Sequence, residues 1–171
     1  MRYATIQHGE NMIPKKLFTI DRACVERERL RNIGKKVVLT NGCFDLLHVG
    51  HVSSLESART FGDSLWIALN SDKSTKKLKG DSRPIFSEKE RAYMLSALKV
   101  VDGIFIFGGD RLVDEILWFR PDIYVKSGDY TSDNLDPSEH KALISVEAEI
   151  KFVPFVSGFS TTSILKRIRD N

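Results

Sequence analysis

Two histidines and two glycines follow directly on an apolar run that has the composition of a buried strand. The run at residues 37–40 leads into a turn of small, polar and aromatic residues, Asn41, Gly42, Cys43, Phe44 and Asp45. A helical pattern then opens with His48, Gly50 and His51. Glycine permits close backbone approach, and the unpaired N–H groups of a helix start favour anions. Imidazoles add donors whose charge changes near neutral pH. The spacing therefore predicts an anion-binding turn.

The two histidines also have simpler interpretations. Taken alone, His48 or His51 would be a surface residue at a helix start, but the pair around a glycine directly after a strand favours function. Histidines three residues apart can share a helix face and bind a metal, yet no third ligand is evident nearby. The closest acid, Asp45, equally suits hydrogen bonding within the turn. Cys24 and Cys43 lack metal-ligand spacing. We therefore predict no metal ligand from the chain.

Five apolar, β-branched runs alternate with helical patterns, which is typical of a parallel α/β sheet with helices on both faces. The predicted strands are residues 37–40, 65–70, 103–107, 123–126 and 150–155. The predicted crossover helices are residues 51–61, 91–100 and 110–119, one from residue 137, and one from residue 160 or 161 to 169. An extra helix at residues 21–33, closed by Gly34, precedes the sheet. We therefore predict a five-stranded Rossmann-like domain at residues 35–171, behind an N-terminal extension and helix at residues 1–34.

Basic residues follow the second predicted strand. In a doubly wound sheet, ligands bind beyond the carboxyl ends of the strands, where the strand order reverses. Lys77 and Lys79 lie in the predicted loop on that side, where ammonium groups would neutralise phosphate charge. A solvated basic turn is the alternative, and it applies in particular to Lys73 and Lys76, which match no motif. Arg91 would either supply a forked phosphate contact or lie on an exposed helical face.

Two later segments also fall on the ligand side of the predicted sheet. Lys126 and Asp129 end the fourth predicted strand, where they would border a ligand pocket or form a tight turn in which Asp129 bonds its own backbone. Ser160, Thr161 and Thr162 stand at the start of the last predicted helix. Helix capping alone explains their residue types. The same helix start is also suited to binding phosphate.

The composition excludes several classes of protein. The chain has 171 residues, of which 42% are hydrophobic and 29% charged, and this balance is typical of a soluble globular domain. No stretch approaches the roughly 20 apolar residues that span a bilayer. The first ten residues do not resemble a secretory signal, so we expect a cytoplasmic protein. The net charge of +3 is too small to indicate nucleic-acid binding.

The residue pattern of the turn carries a resemblance to a known family. Its fixed positions are Gly42, Phe44, Asp45, His48, Gly50 and His51. This pattern resembles the signature of the cytidylyltransferase-like nucleotidyltransferase superfamily, whose HxGH element contacts the triphosphate. Within it, the chain is similar to the heptose 1-phosphate adenylyltransferases of lipopolysaccharide precursor synthesis from about residue 35 to residue 168. The narrower similarity rests on residues 70–72, 77–84, 125–130 and 158–162.

The resemblance implies an activity and a set of site residues. The implied reaction transfers AMP from ATP, bound with Mg²⁺, to a heptose 1-phosphate and releases pyrophosphate. The implied catalytic residues are His48, His51, Lys77, Lys79 and Arg91. The implied nucleotide-binding residues are Asn41, Gly42, Cys43, Phe44, Gly50, Asp72, Ser160, Thr161 and Thr162. The implied substrate-binding residues are Asp45, Lys126 and Asp129. A homodimer and a separate upstream sugar kinase are also expected, with no nucleic-acid or membrane partner.

Two alternatives keep parts of this interpretation. The first is a cytidylyltransferase that acts on another small phosphate or phosphonate. Glycerol 3-phosphate is disfavoured as its acceptor, because residues 155–158 replace the Arg-Thr-Glu-Gly turn of the glycerol phosphate enzymes. In a separate departure from the family pattern, Leu165 stands where some relatives place a terminal arginine, so no contact from that arginine is expected here. The second alternative is a non-catalytic nucleotide-binding module, which the intact His48, Gly50 and His51 disfavour.

Overall fold

Six parallel strands and seven helices make up the described part of the chain. The computed structural model describes residues 14–128, 131, 134–154 and 161–170, without the side chains of residues 162, 163, 166 and 169. The strands are Leu17–Phe18 (β1), Val37–Gly42 (β2), Ser64–Asn70 (β3), Gly103–Phe107 (β4), Ile123–Ser127 (β5) and Glu149–Val153 (β6). The helices are Ile20–Asn32 (α1), Val49–Arg59 (α2), Asp72–Lys79 (α3), Glu88–Ser96 (α4), Val113–Phe119 (α5), Pro137–Ser145 (α6) and Thr161–Arg169 (α7).

The strands form one parallel sheet in the order β1-β4-β3-β2-β5-β6. The chain moves from β2 through β3 to β4, and it later returns to pair β5 with the other side of β2. The strand order therefore reverses between β2 and β5, whose carboxyl ends form the switch point where such sheets bind ligands. The predicted α/β fold is confirmed, and β2 to β6 coincide with the five predicted strands to within two residues at each end.

A sixth strand, β1, lies at the edge of the sheet. Leu17 and Phe18 pair with Ile104 and Phe105 of β4, and the Ile104 N–H donates to the carbonyl of Lys16 at 2.8 Å. Two residues are too short a run for an apolar alternation to be recognised in the sequence. The strand count is therefore six rather than the predicted five.

A buried arginine attaches the N-terminal helix α1 to the sheet. Arg27 Nη2 lies 2.8 Å from Asp122 Oδ1, and Arg27 Nε donates to the carbonyl of Arg120 at 2.9 Å. The other oxygen of Asp122 accepts the Val37 N–H at 2.7 Å. One carboxylate therefore joins α1 to the first residue of β2 and to the residue preceding β5. The predicted N-terminal helix is confirmed, and it packs directly on the sheet.

Side chains of the strands alternate between two apolar layers. Trp66 and Phe105 face the layer that contains α1, α5 and α6, whereas Ile67 and Leu69 face the layer that contains α2 and α4. The glycine at position 103 leaves room for the indole, because a Cβ there would lie 2.4 Å from the Trp66 ring. Helices therefore cover both faces of the sheet, as predicted.

The basic segment that was predicted as a loop is the helix α3. Ser71 caps its first turn, and Gly80 ends it with a φ of 97°. The segment contains a single apolar residue, Leu78, so no helical apolar pattern was present in the sequence. The loop prediction for Lys77 and Lys79 is therefore wrong, because local capping formed a helix that apolar periodicity does not signal.

The other helices lie where the sequence predicted them. The ends of α2, α4, α5, α6 and α7 differ from the predicted ends by up to four residues. In the part of the chain that the structure describes, no helix is both long enough and apolar enough to cross a membrane.

Candidate active site

The turn between β2 and α2 brings the two histidines into contact. His48 occupies the N-cap position of α2 without a capping bond from its side chain, and the His51 N–H donates to the His48 carbonyl at 2.9 Å. The imidazole rings stack, with their centroids 3.8 Å apart and their planes inclined by 20°. The pair lies at the first turn of α2, directly after the carboxyl end of β2, where helix N–H groups favour an anion.

Phe44 fixes the shape of this turn. Its φ is 47°, in the left-handed region, and its ring lies against the backbone of Gly42. A Cβ at Gly42 would lie 2.9 Å from that ring, so a larger residue would displace it. The Phe44 ring in turn contacts His51, with centroids 5.2 Å apart. The glycine, the phenylalanine and the histidine of the motif therefore depend on one another for their positions.

Both imidazoles are neutral near pH 7. Burial is the largest of the influences that together lower the pKa of His51 to about 4; the neighbouring His48 acts in the same direction, and an interaction with the Leu46 backbone opposes them. Burial also lowers the pKa of His48. The Nδ1 atoms of both rings are buried without a hydrogen-bond partner in the described structure. An imidazolium would need to donate from both ring nitrogens, so this geometry disfavours the charged form.

Asp45, a predicted substrate ligand, is held by the segment between α3 and α4. Its Oδ1 accepts the backbone N–H groups of Ile85 at 2.7 Å and Phe86 at 3.3 Å. Its Oδ2 lies 2.7 Å from Arg83 Nη1, and both side chains are largely buried. The carboxylate therefore ties the turn to the α3–α4 segment.

Arg91 is fully buried, so its interpretation as an exposed helical residue is wrong. Its guanidinium donates to the carbonyls of Phe86 and Cys43, and its Nη2 lies 2.8 Å from Asp72 Oδ1. The backbone N–H of Asp72 donates to Glu88 Oε2 at 2.8 Å. The guanidinium therefore holds the β2–α2 turn, the start of α3 and the start of α4 together. It also engages Asp72, a predicted nucleotide ligand.

The predicted catalytic lysines lie on α3. This helix follows β3, the neighbour of β2, at the same carboxyl edge of the sheet. Lys77 forms an ion pair with Asp110, and Lys79 is exposed. Lys76, which matched no motif, pairs with Asp81 at 3.3 Å. The lysines are thus presented by a helix rather than by a flexible loop.

A second polar cluster occupies the switch point between β2 and β5. Lys126 Nζ donates to Asn41 Oδ1 at 2.9 Å, to Tyr124 Oη at 3.1 Å and to Glu139 Oε2 at 3.4 Å. Tyr124 Oη donates to the same Asn41 oxygen at 2.8 Å. Burial lowers the pKa of Lys126, while Glu139 raises it. The structure thus joins two predicted ligands, Asn41 and Lys126, in one network.

Residues 39–167 match the protein family described as Cytidylyltransferase-like. The chain belongs to this family. The match covers the β2–α2 turn, the switch point and the start of α7. The predicted superfamily and the predicted nucleotidyltransferase are confirmed by this match and by the relatives below.

Within the cytidylyltransferase-like family, the chain is similar in sequence to proteins named HldE. It is 47% identical to the bifunctional protein HldE of Aliarcobacter butzleri over 84% of this chain and 29% of the relative. It is 43% identical to the bifunctional protein HldE of Geobacter sulfurreducens over 95% of this chain and 32% of the relative. The chain therefore spans about a third of the length of these relatives.

Solved structures share the architecture. A protein described as the lipopolysaccharide core biosynthesis protein from Thermoplasma volcanium aligns over 72% of this chain and 98% of its own, with a TM-score of 0.58 and 28% identity. The pantoate-beta-alanine ligase of Francisella tularensis, in complex with beta-gamma ATP and beta-alanine, aligns over 90% of this chain and 77% of its own. At 14% identity and a TM-score of 0.58, the second likeness shows the fold alone.

The family's turn and the switch point offer complementary chemistry. The β2–α2 turn presents helix N–H groups and neutral imidazoles, which suit a phosphate whose charge grows during a reaction. The switch point presents a buried ammonium group and an amide. In the described residues, no cluster of three or more histidine, cysteine or acidic side chains could hold a metal ion.

Sequence reasoning missed two members of the switch-point cluster, Tyr124 and Glu139. Tyr124 stands two residues before Lys126 on β5, so strand alternation places both on one face of the sheet. That spacing was an available signal. Glu139 is in the first turn of α6, and nothing in the sequence indicated that it would meet β5. Its role became visible only when the sheet brought the two elements together.

Several predicted ligands are only partly described. Asp129 and Ser160 lie outside the described residues, and so does the side chain of Thr162. Thr161 is the first residue of α7 and is half-buried. Gly50 is buried in the first turn of α2. The proposed ligand roles of these residues stay predictions.

Proposed function

We propose that this protein transfers AMP from ATP to a heptose 1-phosphate and releases pyrophosphate. The observation that carries the proposal is the stacked, neutral His48–His51 pair at the start of α2, next to the switch point of the sheet. The adenylyl and heptose assignments are supported by the motif resemblance, by the HldE relatives and by the lipopolysaccharide core biosynthesis protein of similar structure.

The proposed reaction is a direct displacement at the α-phosphorus of magnesium-bound ATP. A phosphate oxygen of the sugar 1-phosphate attacks this phosphorus and forms a new P–O bond. The bond to the oxygen that bridges to the β-phosphorus breaks, and its electron pair leaves with pyrophosphate. No covalent intermediate on the protein is needed, so Cys43 has no part in bond making. Catalysis then consists of positioning and charge stabilisation.

The histidine turn is proposed to bind the triphosphate at the reacting centre. Neutral imidazoles donate one hydrogen bond each without repelling one another, so His48 and His51 can both face the developing charge. Lys77 and Lys79 are proposed to neutralise the leaving pyrophosphate from α3. The contacts of Arg91 favour an indirect role, in which it keeps the carbonyl of Cys43 and hence the turn in place.

The remaining predicted ligands divide between the two substrates. Gly42, Phe44 and Gly50 shape the turn for the nucleotide, with Asp72 beside it at the start of α3. Lys126 is proposed to bind the phosphate of the acceptor, together with Asp129. A homodimer, a separate sugar kinase and a cytoplasmic location also remain predictions.

Pyrophosphate release by the purified protein tests this function. We expect ATP with a heptose 1-phosphate to give a higher kcat/KM than CTP with glycerol 3-phosphate. A higher value for a cytidine pair would overturn the adenylyl assignment in favour of a cytidylyltransferase for another small phosphate or phosphonate. No release with any triphosphate and acceptor, while ATP still binds, would indicate a non-catalytic nucleotide-binding module.

A further inference from the structure

Glu139 makes two contacts at the switch point that the proposed reaction does not use. Its Oε2 lies 3.4 Å from Lys126 Nζ, and its Oε1 accepts the backbone N–H of Leu112 at 3.0 Å. The residue is only 4% exposed. One carboxylate in the first turn of α6 therefore binds both the end of β5 and the loop that leads into α5.

Lys126 pairs with Glu139 in a place where burial works against the charged form of the lysine. The residue is 8% exposed, and burial is the largest influence that lowers its pKa. Among the described charged groups around it, Glu139 and Asp136 of α6 raise the pKa, whereas Arg111 lowers it. Glu139 acts both through its charge and through a hydrogen bond. It is therefore the main support in the described structure for the charged form of Lys126.

The same network orients the amide of Asn41. Its Oδ1 accepts two hydrogen bonds from β5, one from Tyr124 Oη and one from Lys126 Nζ. Because the amide is planar, this arrangement directs the Nδ2 amino group away from both donors. Asn41 is the second-last residue of β2, directly before the glycine of the histidine turn. The Nδ2 donor of the amide therefore faces away from Tyr124 and Lys126, on a residue close to the histidine turn in sequence.

We propose that Glu139 is a positioning residue for the acceptor phosphate: it keeps Lys126 in place as an ammonium ion beside Asn41, so that both present donors at the β2–β5 switch point. Glu139 itself does not touch the substrate. The identification of the bound anion as a sugar phosphate rests on the proposed function. The pairing of Glu139 with Lys126 is observed in the structure and does not depend on that function.

The substitution Glu139→Gln separates this role from simple packing. Glutamine keeps the size of the side chain and an oxygen that can accept from Leu112, but it removes the counter-charge of Lys126. We expect KM for the heptose 1-phosphate to rise about tenfold, as for the loss of a charge-assisted contact. We expect KM for ATP to stay close to the wild-type value. The alkaline limb of kcat/KM for the acceptor should move to lower pH, because Lys126 then loses its proton earlier.

The matched control is Asp136→Asn, which neutralises a carboxylate in the same helical turn. Asp136 caps α6 and pairs with Arg111 at 2.8 Å, so its loss also weakens this region. We expect the alkaline limb to stay nearer the wild-type position than in Glu139→Gln. Glu139→Asp should move the alkaline limb part of the way back to its wild-type pH, because aspartate restores the negative charge. Equal losses for both substrates in Glu139→Gln, with an unmoved alkaline limb, would overturn the positioning role.

An activity-free measurement keeps this inference apart from the proposed function. In protein labelled with ¹³C-lysine, the Lys126 signal is assigned by its loss in Lys126→Arg and followed by NMR against pH. We expect its pKa to be lower in Glu139→Gln than in the wild type. An unchanged pKa would overturn the pairing even if the enzyme were active. A wild-type protein that fails to use heptose 1-phosphates but shows the pKa difference would refute only the identity of the acceptor.

Discussion

The two polar clusters at the carboxyl edge of the sheet respond differently to burial. In the histidine turn, burial and the adjacent ring of His48 together lower the pKa of His51 to about 4, with burial as the larger cause. At the switch point, burial also lowers the pKa of Lys126, but Glu139 opposes it. A buried base becomes neutral unless the fold supplies a counter-charge. The histidine turn therefore favours uncharged donors, whereas the switch point supports a charged one through Glu139.

The largest expected effect comes from removing a histidine. His48→Ala and His51→Ala should each lower kcat by about 100-fold to 1,000-fold, because in the proposed reaction each removes a donor aimed at developing charge. Pyrophosphate release measures the loss, and circular dichroism shows whether the fold is intact. His140→Ala, an exposed histidine on α6, is the control and should keep full activity. If the folded variants keep a kcat within a few-fold of the wild-type value, the histidine turn has a structural role and not a catalytic one.

The next effect concerns what holds the histidine turn in place. Arg91→Ala should lower the free energy of unfolding by about 3 kcal/mol, because it leaves two carbonyls and Asp72 without their buried partner. Urea unfolding measures this change. Arg29→Ala removes an exposed arginine that pairs with Glu26, and it should change the stability far less than Arg91→Ala. A variant of Arg91 that is as stable as the wild type but inactive would instead support direct catalysis by the guanidinium.

The sequence predicted which residues lie in the two clusters better than it predicted the contacts between them. The histidine turn could be predicted because its residues are close together in sequence and follow a buried strand. The Lys126–Glu139 pair was not, because it joins residues on different elements, β5 and α6. The contacts of Arg91 could not be predicted for the same reason. Its position four residues after Ser87 shows where it lies on α4, but only the folded sheet brings the carbonyl of Cys43 next to it.

The elements show the same limit. Strands β2 to β6 are long enough to carry an apolar, β-branched signal, whereas β1 depends on pairing with β4. Helix α3 is held by its Ser71 cap and by bonds through Asn70 and Ser74 to Gly109, and it has a single apolar side chain. Periodicity detects elements that bury a face, and it misses those that are fixed by capping and by distant polar contacts.

A smaller effect tests the neutral state of the histidine turn through stability. The folded protein holds the pKa of His51 at about 4, below its value of about 6.5 in an unfolded chain. The unfolded state therefore binds more protons between these values, so the stabilising contribution is present above pH 6.5 and is lost as the pH falls towards 4. Between neutral pH and pH 5, we expect the wild type to lose about 2 kcal/mol more than His51→Gln.

Urea unfolding of both proteins at pH 7.5 and pH 5 measures this difference. The comparison with His51→Gln removes the contribution of carboxylates that titrate in the same range, because those are present in both proteins. His140→Gln is the control and should lose stability in parallel with the wild type. Parallel losses for His51→Gln and the wild type would mean that His51 is not held neutral by the fold.

The smallest effect comes from the exposed lysines of α3, which contrast with the buried Lys126. Lys77 and Lys79 are exposed, so in the proposed reaction screening would limit the stabilisation that they give to a bound triphosphate. Charge on the bridging oxygen grows only as the bond to pyrophosphate breaks, so we expect Lys77→Ala or Lys79→Ala to lower kcat by about fivefold and to change KM for ATP less.

Steady-state kinetics at fixed magnesium and ionic strength decide the role of these lysines. Lys73→Ala is the matched control, since Lys73 is also an exposed lysine of α3 but matches no motif. Because α3 is a capped helix, loss of one lysine side chain should leave the others in place. The kcat of Lys73→Ala can therefore be compared directly with the kcat of Lys77→Ala and of Lys79→Ala. An effect on KM alone would assign the lysines to electrostatic steering of the triphosphate. Unchanged kcat and KM in both variants would remove Lys77 and Lys79 from the proposed site and would leave them as a solvated basic face of α3.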